Sequence, residues 1–354
     1  MMRAYSRKKI GIMAFLIGGI WACQKEEVSR AELFQGFVKP AHFPEPVYDF
    51  NRNPITKDGF ELGRKLFYDA KLSRNLTISC GSCHQQSAGF THHGHDVSHG
   101  IDDRVGTRNA LPIQNMAWQK TFFWDGGVFH AELTPVAAIT NPVEMDFEVG
   151  AIIQRLREDA VYPRLFKQAF GSDKITDALF FKALAQFMLM AVSAESKYDQ
   201  IKQAKPGVHF TEAEQRGYVF FKEKCSSCHQ EPLMGGDGFR NNGLRPGSSQ
   251  DVGRMGVTLR EEDAYAFKVP SLRNNQYTAP YMHDGRYRTL ARVLDHYRFD
   301  VMDSATLDPL LRQQNGRTGI AMTEAQKEDL MAFLGTLNDP NFIKNPLFSE
   351  FSVQ

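Results

Sequence analysis

Two pentapeptides hold the reactive side chains of this sequence, "CGSCH" at Cys80 to His84 and "CSSCH" at Cys225 to His229. A C-x-x-C pair has three chemical readings, and each predicts different neighbours. A redox-active dithiol sits at a helix terminus after a strand and needs no histidine. Structural zinc needs four ligands, which the two motifs together supply as four cysteines, but both adjacent histidines are then unexplained. Covalent haem c uses all three fixed positions. The sulfurs bond the two vinyl groups, and the histidine that follows reaches the iron. Of the five cysteines only Cys23 lies outside the motifs, so none remains for a structural disulfide. Two haem c groups are therefore expected, one on Cys80, Cys83 and His84, the other on Cys225, Cys228 and His229.

What such groups do depends on the other face of each iron. Two strong protein ligands on both irons make an electron carrier, whereas a displaceable sixth ligand admits peroxide. His99, in "DVSHGIDDRVGTRN", follows His92, His93 and His95. One of this cluster caps the first iron, or the loop is simply wet and histidine-rich, and spacing does not choose the member. Glu144, in "ITNPVEMDF", is either a base that moves a proton between two peroxide oxygens or a carboxylate preceding a helix. Trp124 is an electron relay or a core aromatic. Tyr297 shares an expected helix face with Leu290, Val293 and Leu294, as a packed tyrosine or as an oxygen ligand of the second iron. Met282, His296 and Met302 are its rivals. A thioether would favour ferrous iron, a phenolate the ferric and higher states.

Helices must position these groups. "ELGRKLFYD" (Glu61–Asp69) and "QRGYVFFKE" (Gln215–Glu223) each carry a glycine followed by large apolar residues three and four positions on. Thr211 and Glu214 form a capping-box start for the second. After each haem motif comes a long loop and then another matched pair. Arg108-Asn109 corresponds to Arg273-Asn274, and Trp124-Asp125-Gly126 to His283-Asp284-Gly285. The expectation is a mainly α protein of two c-type cytochrome domains, one covalent haem each, related by internal duplication. Further helices are expected at Phe147–Glu158, Thr176–Ser196, Thr289–Tyr297 and Glu324–Leu337, and no pattern calls for a large sheet. The units are expected at 55–200 and 201–345, divided within the polar stretch Lys197–Phe210. Residues 23–54 form an N-terminal linker, with Phe34–Pro54 extended across the surface. The loop Asn241–Arg254 is expected beside the second haem.

Arg3, Arg7, Lys8 and Lys9 precede an apolar run from Ile10 to Ala22, which marks residues 1–22 as an export signal. Ala22-Cys23 resembles a lipoprotein cleavage site, with Cys23 lipidated. Beyond it remain 332 residues with 38 basic and 41 acidic side chains, a net charge of −3. Neither this balance nor any Lys/Arg run fits nucleic-acid binding.

With "SHG…GTRN", "FFWDGG", "NPVEM" and "KVPSLRNNQYTAPYMHDG" in this order around the two haem motifs, the chain resembles the bacterial di-haem cytochrome c peroxidases and the related MauG-type enzymes over about residues 55–340. The resemblance implies that the first haem is the peroxidatic centre and the second the electron-transfer centre. It implies His99 as displaceable ligand of the first iron, Glu144 as catalytic carboxyl and Trp124 as the residue between the haems. Asn109, with the backbone carbonyls of Thr278 and Pro280, matches a calcium site at the domain junction, where a hard cation with oxygen ligands locks the domains in register. Two departures stand out. Thr134 replaces the glutamine of the peroxidases ten residues before Glu144, and Tyr297 falls where their second haem has methionine, with Met302 the alternative. The implied activity is reduction of hydrogen peroxide to water by a small exported c-type cytochrome or cupredoxin. MauG-like oxidation of a partner protein and simple electron carriage are the alternatives. The implied location is the periplasmic side of a Gram-negative envelope, lipid-anchored through Cys23.

Overall fold

Glycine at two helix crossings sets how the halves of this protein pack. The computed structural model describes residues 33–350; the expected export signal at 1–22 and the lipidation site Cys23 lie outside the described residues. The helix Lys57–Phe67 starts behind Thr56, whose side chain accepts from the Gly59 N–H. It buries Phe60, Leu62, Leu66 and Phe67 against the helix Asp177–Leu189. At their crossing a Cβ on Gly63 would lie 1.9 Å from the Ala183 carbonyl oxygen. In the second half the helices Glu212–Lys224 and Glu324–Gly335 pack together, each opened by a capping box, Thr211 with Glu214 and Thr323 with Gln326. Here a Cβ on Gly217 would lie 1.9 Å from the Asp329 carbonyl oxygen. The glycines of the two matched peptides thus do the same work, because only a missing side chain lets backbones meet this closely.

Two main cores result. The first runs from Phe43 through Ala194, the second from Tyr198 through Leu337 around Phe221 and Phe333. The helix Pro340–Lys344 then returns to the first, where Phe342, Leu347 and Phe348 are buried. Among the described residues the sheet is one antiparallel pair, Phe239–Arg240 against Phe267–Lys268, in register Phe239 to Lys268. No helix of the described residues is long and apolar enough to cross a membrane.

Several elements depart from expectation, each for a local reason. The helix expected over Thr176–Ser196 ends at Leu189, because side chains capture the backbone that follows. The Ser193 N–H donates to Asn115 Oδ1, and those of Ala194 and Glu195 to Asp339 Oδ2. The helix expected over Thr289–Tyr297 is α-helical over Leu290–Asp295 and continues as one π turn, His296–Asp300. The N-terminal segment is irregular, but it is no surface strap. Phe43 and Asn53 are buried, and Phe34, Phe37, Tyr48 and Phe50 pack on the first core. The polar stretch Lys197–Phe210 opens with a short helix, Lys197–Lys202, whose Asp199 is fully buried.

That carboxylate accepts from both terminal nitrogens of buried Arg273, at 2.8 and 2.6 Å, and pairs with His42 Nε2 at 2.8 Å. Burial by itself would raise the Asp199 pKa, but the guanidinium overrides it and holds the group below its ordinary value. A buried pair survives only when satisfied in this way. It ties the N-terminal segment, the inter-domain helix and the second matched Arg-Asn together.

Gly217→Ala is expected to lower stability by about 1–3 kcal/mol, the usual cost of overpacking. Gly150→Ala, in the helix Val149–Glu158 with nothing within 4 Å of the new Cβ, is expected to leave Tm unchanged or raise it. Thermal unfolding of the two variants side by side checks the claim.

Candidate functional site

Each pentapeptide forms a short helical turn or the end of a helix at the edge of an apolar cavity. Cys80–Cys83 is one α-turn, with Ser79 and Ser82 in a capping box. The first of the two residues between the cysteines is glycine because a Cβ on Gly81 would lie 2.4 Å from the Tyr68 ring. Cys225 caps the helix Glu212–Lys224. His84 Nδ1 donates to the Phe90 carbonyl at 2.8 Å, and His229 Nδ1 to that of Pro270 at 3.1 Å. Each bond fixes the tautomer and leaves Nε2 with its lone pair, the arrangement of a metal-bound imidazole. Burial pushes the pKa of His229 down to about 4 and lowers that of His84. It pushes Cys80 and Cys225 up to about 12 and Cys83 to about 11. These are the reverse of the depressed values that a disulfide-exchanging dithiol needs. Among the described residues no three or more His, Cys, Asp or Glu side chains are grouped to hold a metal, so the two motifs do not combine into a zinc site. Neutral imidazoles and half-buried thiols bordering apolar cavities fit haem c.

The first cavity, about 920 Å³, is bordered by Cys80, Cys83 and His84 and also by Glu144, Trp124 and Thr134. Glu144 sits in the turn after the helix Thr134–Thr140. Asn141 Nδ2 donates to its Oε1 at 3.1 Å and Ser98 Oγ at 3.5 Å. Burial raises its pKa, and these two bonds oppose the rise without cancelling it. Gly100 allows the turn to close, since a Cβ there would lie 2.2 Å from the Val143 carbonyl oxygen and 2.4 Å from Glu144 Cα. Thr134 borders the cavity and its Oγ1 donates to the Ala131 carbonyl at 2.8 Å, which leaves the hydroxyl only acceptor capacity. His99 is not among the residues bordering the cavity. Its Nε2 lies 3.3 Å from the Asp103 carbonyl, while its own carbonyl is 3.5 Å from Cys83 Sγ. His95 lies between, stacked on His92 at 4.1 Å.

The second cavity, about 240 Å³, is bordered by Cys225, Cys228, His229, Met282 and Tyr297. Met302 and His296 are not among its lining residues. Tyr297 lies in the π turn, a local widening of the helix that recurs at functional sites. Burial pushes its pKa up to about 12. Trp124 and the segment Asn109–Pro112 border both cavities, forming one shared wall. Trp124 Nε1 donates to the Asn109 carbonyl at 2.9 Å, and the Asn109 N–H to the His283 carbonyl at 2.7 Å. Asn109, Thr278 and Pro280, the residues implied for calcium, all border the second cavity.

Some participants were not singled out from the sequence. Asn141 and Ser98 orient Glu144, and Asn141 was within reach because it opens the "NPVEM" motif. The loop Asn241–Arg254 was expected beside the second haem. It borders both cavities, with Asn241 and Asn242 at the second and Ser249 to Gly253 at the first. Arg108 holds that loop through a bidentate pair with Asp251 at 2.7 and 2.9 Å, which no spacing in the sequence announces.

Comparison with known proteins agrees with this geometry. A family profile described as di-haem cytochrome c peroxidase matches residues 57–206, and one described as cytochrome c matches residues 214–338. The methylamine utilization protein MauG of Methylorubrum extorquens is 33% identical over 316 residues, covering 87% of this chain and 84% of that protein. The cytochrome c peroxidase Ccp of Escherichia coli is 30% identical, covering 90% of this chain and 69% of that protein. The crystal structure of a MauG-like protein associated with microbial copper homeostasis matches with a TM-score of 0.80 at 33% identity, covering 88% of this chain and 98% of that one.

The raised pKa of Glu144 makes a signed prediction. The folded protein holds this proton more tightly than the unfolded chain, so stability falls as pH rises from the ordinary glutamate value through the raised one. Glu144→Gln removes that term. Plotted against pH, its Tm should gain on wild type across this window and run parallel outside it.

Proposed function

The chain belongs to the bacterial di-haem cytochrome c peroxidase and MauG family, and from that premise we propose that it reduces hydrogen peroxide to water. Each turnover takes one peroxide, two electrons and two protons to two waters. We assign the first unit, 55–200, to peroxide and the second, 201–345, to electron transfer, one covalent haem in each, the two related by duplication. The observation that carries the proposal is a half-buried carboxyl, Glu144, on the same cavity as Cys80, Cys83 and His84, with a second haem-type cavity across one tryptophan wall.

When bound, haem c supplies the iron chemistry that activates peroxide and passes single electrons. The protein supplies the proton path. Asn141 and Ser98 hold Glu144 Oε1, so the carboxyl can take a proton from one peroxide oxygen and return it to the departing one. Burial keeps its pKa nearer the working pH, which suits both halves of that transfer. Thr134 offers one acceptor where the peroxidases offer an amide, which makes its contribution to holding peroxide weaker. His99 is assigned as the displaceable cap, and its ring bond to the Asp103 carbonyl suits the withdrawn position. Trp124 is assigned as the path between the cavities, with its ring fixed by Asn109.

Tyr297 is assigned as the second haem's other ligand in preference to Met302, supported by its place on the cavity. Calcium is assigned to Asn109 with the carbonyls of Thr278 and Pro280. The electron donor is assigned as a small c-type cytochrome or cupredoxin. The location that fits is periplasmic, with a lipid anchor at Cys23.

A second reading is MauG-like oxidation of a partner protein. Tyr297 favours it, because an oxygen ligand makes the ferrous state of the second haem harder to reach. The two readings part in a partner-free assay. Rapid peroxide consumption coupled to oxidation of a reduced cytochrome is expected, and its absence would favour protein oxidation. Glu144→Gln, with both haems retained, is expected to slow peroxide turnover by about 100- to 10,000-fold. Turnover within a few-fold of wild type would remove Glu144 from the proton path.

A further inference from the structure

Four side chains near the second haem motif carry an atom able to take the iron's sixth position, namely Tyr297, Met282, His296 and Met302. All four meet the same two residues. The Asn242 side chain borders the second cavity together with Tyr297 and approaches Met282, with Nδ2 to Sδ at 3.7 Å. The Asn242 backbone carbonyl accepts from His296 Nε2 at 3.1 Å. The neighbouring Gly243 carbonyl accepts from the Met302 N–H at 2.8 Å.

We propose that Asn242 is the ligand selector of the second haem, leaving the cavity to the Tyr297 oxygen by detaining the Met282 sulfur and the His296 imidazole. This rests on Tyr297 as the ligand, the reading given above.

The amide is itself fixed. Asn242 Oδ1 accepts from the Leu244 N–H at 3.2 Å, an Asx turn that leaves Nδ2 as the free donor toward the cavity. Its Nδ2 engages the sulfur of Met282, which borders the same cavity and is otherwise the best-placed rival. His296 is buried with Nε2 committed to a main-chain acceptor, so it cannot turn to the cavity without orphaning that carbonyl. Met302 is held through its backbone beside Gly243, where a Cβ would lie 2.9 Å from the Met302 carbonyl oxygen. Its side chain is not on the cavity. The selection is thus a division of labour within one residue. The side chain chooses between oxygen and sulfur, and the main chain excludes nitrogen.

The test uses the holoprotein with both haems in place. Asn242→Leu removes the amide but keeps the backbone acceptor for His296. Ferric electron paramagnetic resonance, the near-infrared ligand-to-iron charge-transfer region and the midpoint potential of the second haem are recorded. Wild type should show a phenolate signature and Tyr297→Phe should lose it. Asn242→Leu should gain a thioether band and a higher potential, since a methionine ligand raises it. The double variant Asn242→Leu/Met282→Leu should lose that band and regain the phenolate signature. It also separates ligand exchange from a damaged pocket. If Asn242→Leu keeps the wild-type spectrum and potential, the selector role is overturned while Tyr297 stands. If wild type shows no phenolate signature, the ligand reading itself fails and this role fails with it.

Discussion

One wall serves two cavities, and its rigidity is the constraint on which the rest of the structure depends. Trp124 and the strand of chain from Asn109 to Pro112 face a haem-type pocket on each side. Three bonds lock the wall. Trp124 Nε1 donates to the Asn109 carbonyl, the Asn109 N–H to the His283 carbonyl, and the Lys268 N–H to the Trp124 carbonyl. Two of these join the halves of the molecule. The wall is therefore an inter-domain joint as well as a partition, and a shift of one half against the other would change both pockets together.

Charge placement reinforces the joint. Lys268 is buried with its ammonium on Gln119 Oε1 and the Thr121 carbonyl, and burial pushes its pKa down to about 8. Arg108 grips Asp251 across the interface and Asp125 beside Trp124. Asp199 and Arg273 form the deep pair that His42 completes. Buried ions of this kind are costly unless every partner is present. They add little to net stability but penalise any other arrangement of the halves.

The two pockets are built alike and equipped differently. Both have an imidazole held by a main-chain carbonyl, and both end in a hairpin with a left-handed glycine, Gly126 at φ 69° and Gly285 at φ 68°. At the first, the turn after the helix Thr134–Thr140 brings a half-buried carboxyl to the cavity. At the second, the corresponding space holds a phenol and a thioether under one amide. A proton carrier belongs where oxygen chemistry occurs, and a choice of ligand atoms belongs where potential is set. This asymmetry within a common scaffold is the physical content of the peroxidase reading.

The di-haem c character was legible in the sequence, because each pentapeptide carries its whole chemical requirement within five adjacent residues. The glycines at 63 and 217 and the capped helix starts were legible for the same reason, as local rules about backbone and spacing. Glu144 and Trp124 were visible as candidates, but a carboxylate before a helix and a packed indole read alike until burial is known. What only the tertiary structure decided is whatever joins distant parts of the chain. Ser98 reaches Glu144 across 46 residues, Arg108 reaches Asp251 across 143, and Asp199 anchors Arg273 from a stretch that reads as a polar linker. Composition does not reveal that anchor, because a charged residue is polar in isolation and becomes a core residue only when its partner arrives from elsewhere. The helix expected to run to Ser196 stopped early for the same reason, its backbone taken by Asn115 and Asp339. Sequence fixes what a segment can do alone, and long-range pairing, which has no local signature, settles the remainder.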